Sequence, residues 1–440
     1  MQNDIARSMS INTFILKIAQ KISAKPMIRR TFAQGFLAFL LGSSALAPAF
    51  GQSSGGSNYS IFGLGDIIES YGAVFDGVGG AAIGANSPYA VNLANPAAWN
   101  APRSTRFQTG FAFRQFLVND AQGSVAQNGG YLQGFASVFS IDTVKGISAG
   151  FGIVPLSNVQ YAYRLTQPSA DANLVSSTLY RGLGGMTALY LGAAVQILPN
   201  LHLGAMGLYN FGTIEMSALT ESSTFLAQSQ TIVTDRLSGA TGRLGLQFIG
   251  IPNLTIGLTA ASSLPLEITR ATQYKFVSVI RDTTFEEQFS TVLPLELGFG
   301  VGYSVGRVAL LADVVTKDFT GFEYRRFRDD VSFERSTRVS VGMALSGSSD
   351  YSASFLETLG YRFGLGYHQQ YVHIGGAGVE EYYGSIGLQI PVAQRVFFDF
   401  AATGGLREIP GADGLPREIF GRFTFSVNVG EIWFQPLFRE

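Results

Sequence analysis

The sequence predicts an all-β fold, a transmembrane antiparallel β-barrel of about fourteen strands with an N-terminal hatch (plug) inside its lumen. Three observations predict it. Mean hydropathy is +0.21 and only 14% of the residues are charged, an apolar balance for a chain of 440 residues. Yet beyond residue 51 no apolar run reaches the roughly 18 residues that a membrane helix needs. Backbone that crosses lipid without helices must pair all its polar groups between strands and close on itself. The second observation is period-2 alternation; the third is an alternation of short and long connections.

The chain divides into three stretches on this reading. Residues 1–51 are an upstream extension and a secretory signal over 27–51. Arg29 and Arg30 open that signal, Phe36–Leu41 lie in its apolar middle, and Ala49-Phe50-Gly51 supplies small residues at the cut. Residues 52–104 form the hatch. Its centre, Gly77–Asn100, is rich in Gly, Ala, Asn and Pro and has neither helical nor strand periodicity. Such small side chains bury little apolar area of their own, so the stretch needs a surrounding structure. Asn95-Pro96-Ala97 is its most distinctive motif, with Asn95 turned away from helix by the proline that follows.

Residues 105–440 form the barrel. In TRFQTGFAFRQF, Phe107, Thr109, Phe111 and Phe113 share one face while Gln108, Gly110, Ala112 and Arg114 share the other. YRFGLGYH and RFTFSVNV repeat the pattern with Phe363, Leu365 and Tyr367, and with Phe423, Phe425 and Val427. One face then meets lipid and the other lines a lumen. Short turns fall near 142–145, 198–200, 250–253, 304–306 and 392–394, and longer polar segments run over 118–130, 155–184, 214–236, 263–290, 317–335, 369–380 and 404–417. Short turns belong on the periplasmic side and long loops outside. One short-side connection, 345–357, is longer than its neighbours.

Little in the chain points to catalysis. Gly146–Gly150 and Gly302–Gly306 both match G-x-S-x-G, but neither sits between a strand and a helix as a nucleophile elbow must. Gly77-Val78-Gly79-Gly80 has no βαβ unit around it and is no dinucleotide fingerprint. The chain has three histidines and no cysteine, so neither a metal site nor a disulfide is expected. No enzyme activity and no cofactor are expected. Without residues 1–51, 24 Lys and Arg stand against 30 Asp and Glu, a balance that gives nucleic acid no basic surface.

The inward-facing charges are the candidate contacts to a ligand or to the hatch: Arg114, Glu296, Asp313, Arg362 and Asp399, together with His368. Ionisable groups at membrane depth are costly unless paired or hydrated. Gly150, Gly152 and Pro155 are candidates for a lateral opening. Proline cannot donate to a ladder and marks an edge, a bulge or a strand end; the two glycines offer no side chain to seal the wall.

The hatch stretch GGAAIGANSPYAVNLANPAAW, with YLGAAVQILPNLHLGAMGLYNFG at Tyr190–Gly212, LPLELGFGVGY at Leu293–Tyr303, YRFGLGY and the closing Glu431-Ile432-Trp433-Phe434, resembles the FadL/TodX-like family of outer-membrane transport proteins. The resemblance spans most of the chain after the signal. It implies a fourteen-stranded barrel of the bacterial outer membrane, closed by a hatch, that passes hydrophobic compounds such as long-chain fatty acids by diffusion. It also implies sideways release of the ligand at a kink in the third strand. The partners expected are outer-membrane lipid, hydrophobic small molecules and the outer-membrane barrel assembly machinery that inserts the chain. The alternative is a barrel that serves as a scaffold or docking subunit of a secretion or surface assembly. Family barrels end on an aromatic residue, whereas this chain runs on to Phe438-Arg439-Glu440.

Overall fold

A computed structural model describes residues 53–69, 71–120, 123–168, 175–222, 228–276, 279–411 and 416–433. The expected signal at 27–51 and the terminal Phe438-Arg439-Glu440 lie outside them. The chain after residue 104 is a closed, antiparallel 14-strand barrel. Its strands are β1 (Thr105–Asp120), β2 (Gly123–Asp142), β3 (Ile147–Pro155 continued by Ser157–Pro168), β4 (Val175–Leu198), β5 (Leu201–Ser222), β6 (Gln228–Ile251), β7 (Leu254–Ser263 continued by Leu266–Phe276) and β8 (Val279–Thr291 continued by Leu295–Val305). The ring goes on through β9 (Val308–Asp318), β10 (Arg335–Leu345), β11 (Gly360–Ile374), β12 (Ala377–Ala393), β13 (Val396–Glu408) and β14 (Arg417–Glu431). It closes where β14 pairs with β1, from Arg417 opposite Asn119 to Glu431 opposite Thr105.

Period-2 alternation decides which way each strand faces. On β14, Ile419 is 49% exposed while its neighbour Glu418 is fully buried. On β1, Phe111 and Phe113 face out, and Ala112 and Arg114 face in. Phe107, Phe139, Phe151 and Trp433 cluster on the outer wall at the short-turn end. Aromatic side chains gather at that level in membrane barrels, where an apolar body meets a polar boundary.

Most of the segments expected to be long loops are strand. The ladder of β4 with β5 reaches Ser176 opposite Ser222, and that of β11 with β12 reaches Ile374 opposite Ala377. The outer ends of β7 and β8 also pair with each other, through 266–276 and 279–291. Past the lipid both faces of a hairpin meet water, so the alternation that marks a strand in the sequence is lost there. Of those expected loops, only 319–334 is a long irregular connection among the described residues, and it holds one short strand, Val331–Phe333.

Among the described residues, the ladder between β2 and β3 is incomplete. β2 and β3 pair only from Asp142 opposite Ile147 to Phe135 opposite Ile153. Beyond that point Ser157–Pro168 stays with β4, and Gly123–Gly134 stays with β1. The amino-terminal segment lies between the two separated edges. Ser53–Ser54 runs parallel to Gln127 and Asn128 of β2, and Asp66–Ile67 pairs with Asn158 and Ser157 of β3. Gly56 N–H also donates to the Gln160 carbonyl at 2.8 Å.

Gly150 and Gly152 lie below this separation, paired on both sides within the ladder. The space above Gly150 is taken by the Trp99 indole and that above Gly152 by the Tyr190 ring. The wall at the two glycines is therefore paired and covered by rings from elsewhere, and the separation begins beyond Ile153, on the side of Pro155. A side chain at Gly152 would press on the Phe135 carbonyl as well as on Tyr190. Gly152→Val is expected to cost about 1–3 kcal/mol by overpacking and to reduce the heat-modifiable, folded band on gels. Gly242→Val on β6, where an added Cβ meets no atom within 4 Å, should leave that band unchanged.

Candidate functional site: the filled lumen

The segment 53–104 has a composition unlike the wall around it. From 53 to 102 it holds three acids, Asp66, Glu69 and Asp76, and no Lys or Arg. It folds into one helical turn, Ala73–Asp76, and two short 3-10 turns, Asn58–Ile61 and Pro96–Asn100. Almost all of 72–99 is buried. Gly80, with φ at 84°, needs a glycine twice over, because a side chain there would meet the Arg338 guanidinium.

The Asn95-Pro96-Ala97 motif is a capped turn. Asn95 Oδ1 accepts the Ala97 N–H at 3.0 Å, as an N-cap does, and Pro96 opens the turn. Asn95 Nδ2 donates to the Ile83 carbonyl at 3.0 Å and to Leu246 on β6 at 3.1 Å. Pro96 and Ala97 rest against Gly204 and Gly245, whose missing side chains let the motif touch the wall. Asn92, which the sequence did not single out, does comparable work. Its Nδ2 donates to Ala82 O at 2.7 Å, its Oδ1 accepts from Ala94 and Asn95, and its carbonyl accepts the Trp99 indole N–H at 2.7 Å.

Charged side chains of the wall grip the same segment. Asp313 of β9 is 2% exposed and accepts the N–H groups of Ala82 at 2.6 Å, Ile83 at 2.7 Å and Gly84 at 3.4 Å. Arg114 of β1 meets Asp66 at 3.1 Å. Arg407 of β13 meets Asp66 at 3.0 Å, Glu381 of β12 at 2.8 Å and Glu418 of β14 at 3.5 Å. Glu418 in turn accepts the Ser57 hydroxyl and the Asn58 N–H, both at 2.7 Å. Glu69 binds Lys317 at 2.7 Å and Arg338 at 2.9 Å, and Lys317 reaches on to Glu296 at 3.4 Å. Glu296 also holds Arg243 at 2.9 Å, whose other nitrogen donates to the Leu93 carbonyl at 2.8 Å.

Three of the expected lumen residues find their partners within the wall. Arg362 binds Asp399 at 3.0 Å, and His368 Nε2 lies 2.9 Å from the Ser336 hydroxyl. His373, placed in a connection by the sequence, ends β11, buried and 3.5 Å from Glu334. The Ser148 of the first G-x-S-x-G bonds Asn100 at 2.9 Å. No group of three or more His, Cys, Asp or Glu able to hold a metal occurs among the described residues.

Burial alone pushes the Glu69 carboxyl up, but the Lys317 and Arg338 charges outweigh it and hold the group well below its ordinary 4.5. A carboxylate held low in the folded state contributes stability that is fully present above the unfolded value. That stability is lost progressively as the pH falls from the unfolded value to the folded one. Below about pH 5 the unfolding midpoint, followed by heat-modifiable gel mobility, is therefore expected to drop, and to drop less steeply in Glu69→Gln, which has no such carboxylate to protonate. Equal slopes in the two proteins would show that the Glu69 pairs do not hold.

Two of the cavities among the described residues border these charges. The first, of about 160 Å³, sits inside the break in the wall and is lined by Leu64, Ile68, Leu93, Val154, Leu156 and Tyr190. It reaches Pro155, Gln133 and the outward-facing Thr109 on one side, and Lys317, Glu296 and Arg243 on the other. The second, of about 80 Å³, is polar and bounded by Glu69, Arg114, Arg338, His368, Glu381 and Arg407. Toward the outer end both lie below a packed apolar cluster that includes Tyr59, Phe62, Tyr161, Phe319, Phe322 and Tyr371. Arg325 ties that cluster to the segment through Gly63 O at 3.0 Å and Ser60 O at 3.3 Å.

The architecture is shared with solved transport barrels. A FadL homologue of Pseudomonas aeruginosa superposes with a TM-score of 0.58 at 12% identity, over 84% of this chain and 100% of that one. The toluene transporter TodX of P. putida gives 0.56 at 16% identity, over 84% and 100%. The toluene transporter TbuX of Ralstonia pickettii gives 0.58 at 14% identity, over 82% and 98%. At such identities the likeness is one of fold, and it fits a barrel of the outer-membrane type. A search of curated proteins returns no match by sequence. One family profile, BamG, does match, over residues 27–437, nearly the whole of the chain. With a FadL/TodX-type barrel, a filled lumen and a sequence match of that length, the chain belongs to the BamG family.

Proposed function

We propose that this protein is a closed outer-membrane barrel that serves as a scaffold subunit of barrel assembly machinery, with its amino-terminal segment acting as a permanent hatch. The observation that carries the reading is the lumen. Asp66, Glu69 and Asp76 of the segment face cations of five strands, and Asp313 caps three of its amides. Breaking a buried pair strands a charge and costs about 3–5 kcal/mol, so a route that unseats the segment must break several at once. A gate meant to cycle is drawn from weakly held structure. The match to the BamG family fits barrel assembly machinery and supports the same reading.

Crosslinking in intact cells followed by purification should recover this chain with the central barrel of that machinery. Depleting it should lower the folded level of many unrelated outer-membrane barrels. Unchanged barrel levels on depletion, with loss of growth on an aromatic hydrocarbon, would overturn the proposal in favour of transport.

That second reading has one observation of its own, the cavity beside Pro155. About 150 Å³ suffices for a benzene-sized molecule, and the cavity offers about 160 Å³. A long-chain fatty acid does not fit without movement of the apolar cluster above it. Transport would therefore concern small aromatic hydrophobes, released sideways where β2 and β3 part. Gly150 and Gly152 would then act through Trp99 and Tyr190, as the floor of the opening.

A further inference from the structure

The periplasmic rim carries one structure that neither reading uses. Five of the short-side connections are tight turns, at 143–146, 199–200, 252–253, 306–307 and 394–395, whereas β10 and β11 are joined by 346–359. This long link is ordered. Arg307, in the tight turn between β8 and β9, donates to the Ser346 carbonyl at 2.7 Å and to the Glu357 carbonyl at 3.0 Å. Ser348 N–H donates to the Glu357 carbonyl at 2.6 Å. The helical turn Phe355–Thr358 begins with Ser354, whose N–H and hydroxyl both bind the Glu357 carboxylate, at 2.7 and 2.8 Å.

All this order presents apolar side chains outward. No residue of Phe355–Thr358 is buried; Phe355 is 53% exposed, Leu356 65%, and Tyr351 wholly so. A loop that faced only water would have no reason to fix such groups in place, since exposing them is unfavourable. The position of the helical turn indicates what meets it. Tyr361 shares the outward face of β11 with Phe363 and Leu365, and its hydroxyl donates to the Leu356 carbonyl at 3.0 Å. The turn is thus tied to the lipid-facing side of the wall, away from the lumen. Tyr303 and Val305 of β8, both outward and exposed, lead up to the turn that holds Arg307. The apolar patch therefore continues the lipid-facing belt across the rim, and the occupant it fits is the surface the belt already meets.

We propose that the 346–359 link is a membrane foot, seating Phe355, Leu356 and Tyr351 among the phospholipids of the periplasmic leaflet. Aromatic and aliphatic side chains on a short, polar-backed turn are the chemistry of an interfacial anchor. Arg307 and the Ser354–Glu357 pair form the polar back of the foot and keep its backbone groups bonded at the headgroup level.

The native chain has no cysteine, so Phe355→Cys provides a unique site for an environment-sensitive dye. The full-length labelled barrel would be placed in phospholipid nanodiscs, where both membrane faces are open to the medium. Lys145→Cys, on the exposed β2–β3 turn, provides the water-facing control. With lipids spin-labelled near the headgroup, the dye at 355 is expected to lose about half its emission, and iodide should quench it about threefold less than the dye at 145. Equal iodide quenching at both sites without lipid quenching would overturn the proposal and leave the turn as a docking surface for a periplasmic protein. Protection from iodide without lipid quenching would overturn it too, since the foot would then be covered by protein. Heat-modifiable gel mobility of each labelled variant establishes that the barrel is folded before either reading is taken.

Discussion

Replacing Arg407 by alanine is expected to give the largest loss of barrel stability of any single change in the lumen. Arg407 is 6% exposed and stands among Asp66, Glu381 and Glu418, on three different parts of the chain. It also donates to the Ser57 hydroxyl at 2.7 Å. Without it three buried carboxylates are left close together, and among the described residues the other cation within ion-pair distance of them is Arg114, which reaches Asp66. Removing one partner of a buried pair costs about 3–5 kcal/mol, and here three partners lose it together. The expected result is a large drop in the temperature at which the folded gel band disappears. Arg407→Lys keeps the charge but not the planar fork that serves Glu381 with two nitrogens, 3.0 and 2.8 Å away, and should fall between. Adding Glu418→Gln to the alanine variant should restore part of the loss. If the double variant is no better than the single one, repulsion among stranded carboxylates is not the cause.

The second large effect is expected at Asp313. A single carboxylate here serves three consecutive amides, those of residues 82–84, where the segment bends and has no ladder of its own. Asp313→Ala leaves those donors buried without an acceptor, at about 1–3 kcal/mol for each that water cannot reach. The wall of β9 stays paired with β8 and β10 on both sides, so the barrel itself should still form. The damage should be local. Added protease should cut near 82–85, and small polar solutes should pass in a liposome swelling assay where the parent is tight. Asp313→Asn, which keeps an acceptor oxygen but turns a donor toward the amides, should leak less. A tight Asp313→Ala barrel would mean that the ion pairs, Asn95 and the glycine contacts hold the segment without Asp313.

The sequence by itself determined the closed barrel, its strand faces and its short turns. Alternation such as that of Phe111 and Phe113 against Ala112 and Arg114 persists only where one face meets lipid and the other a lumen. The stretch around Asn95-Pro96-Ala97 was legible as something that must be enclosed, because it has no apolar mass of its own. Outside the lipid the signal failed, and 214–236 and 263–290 read as loops although β5 to β8 run through much of them. Tertiary structure alone decided how the lumen is held. Glu69 and Lys317 are 248 residues apart, and Asp66 and Arg407 are 341 apart, so no local pattern couples them. The inward-facing charges such as Arg114 and Asp313, and the three acids of a segment without Lys or Arg, were the traces of that pairing in the sequence. Pro155 announced a break in β3, but only the fold could show that Gly150 and Gly152 stand below it. A glycine in a strand records that something approaches closely, and what approaches here, Trp99 and Tyr190, comes from other turns of the chain.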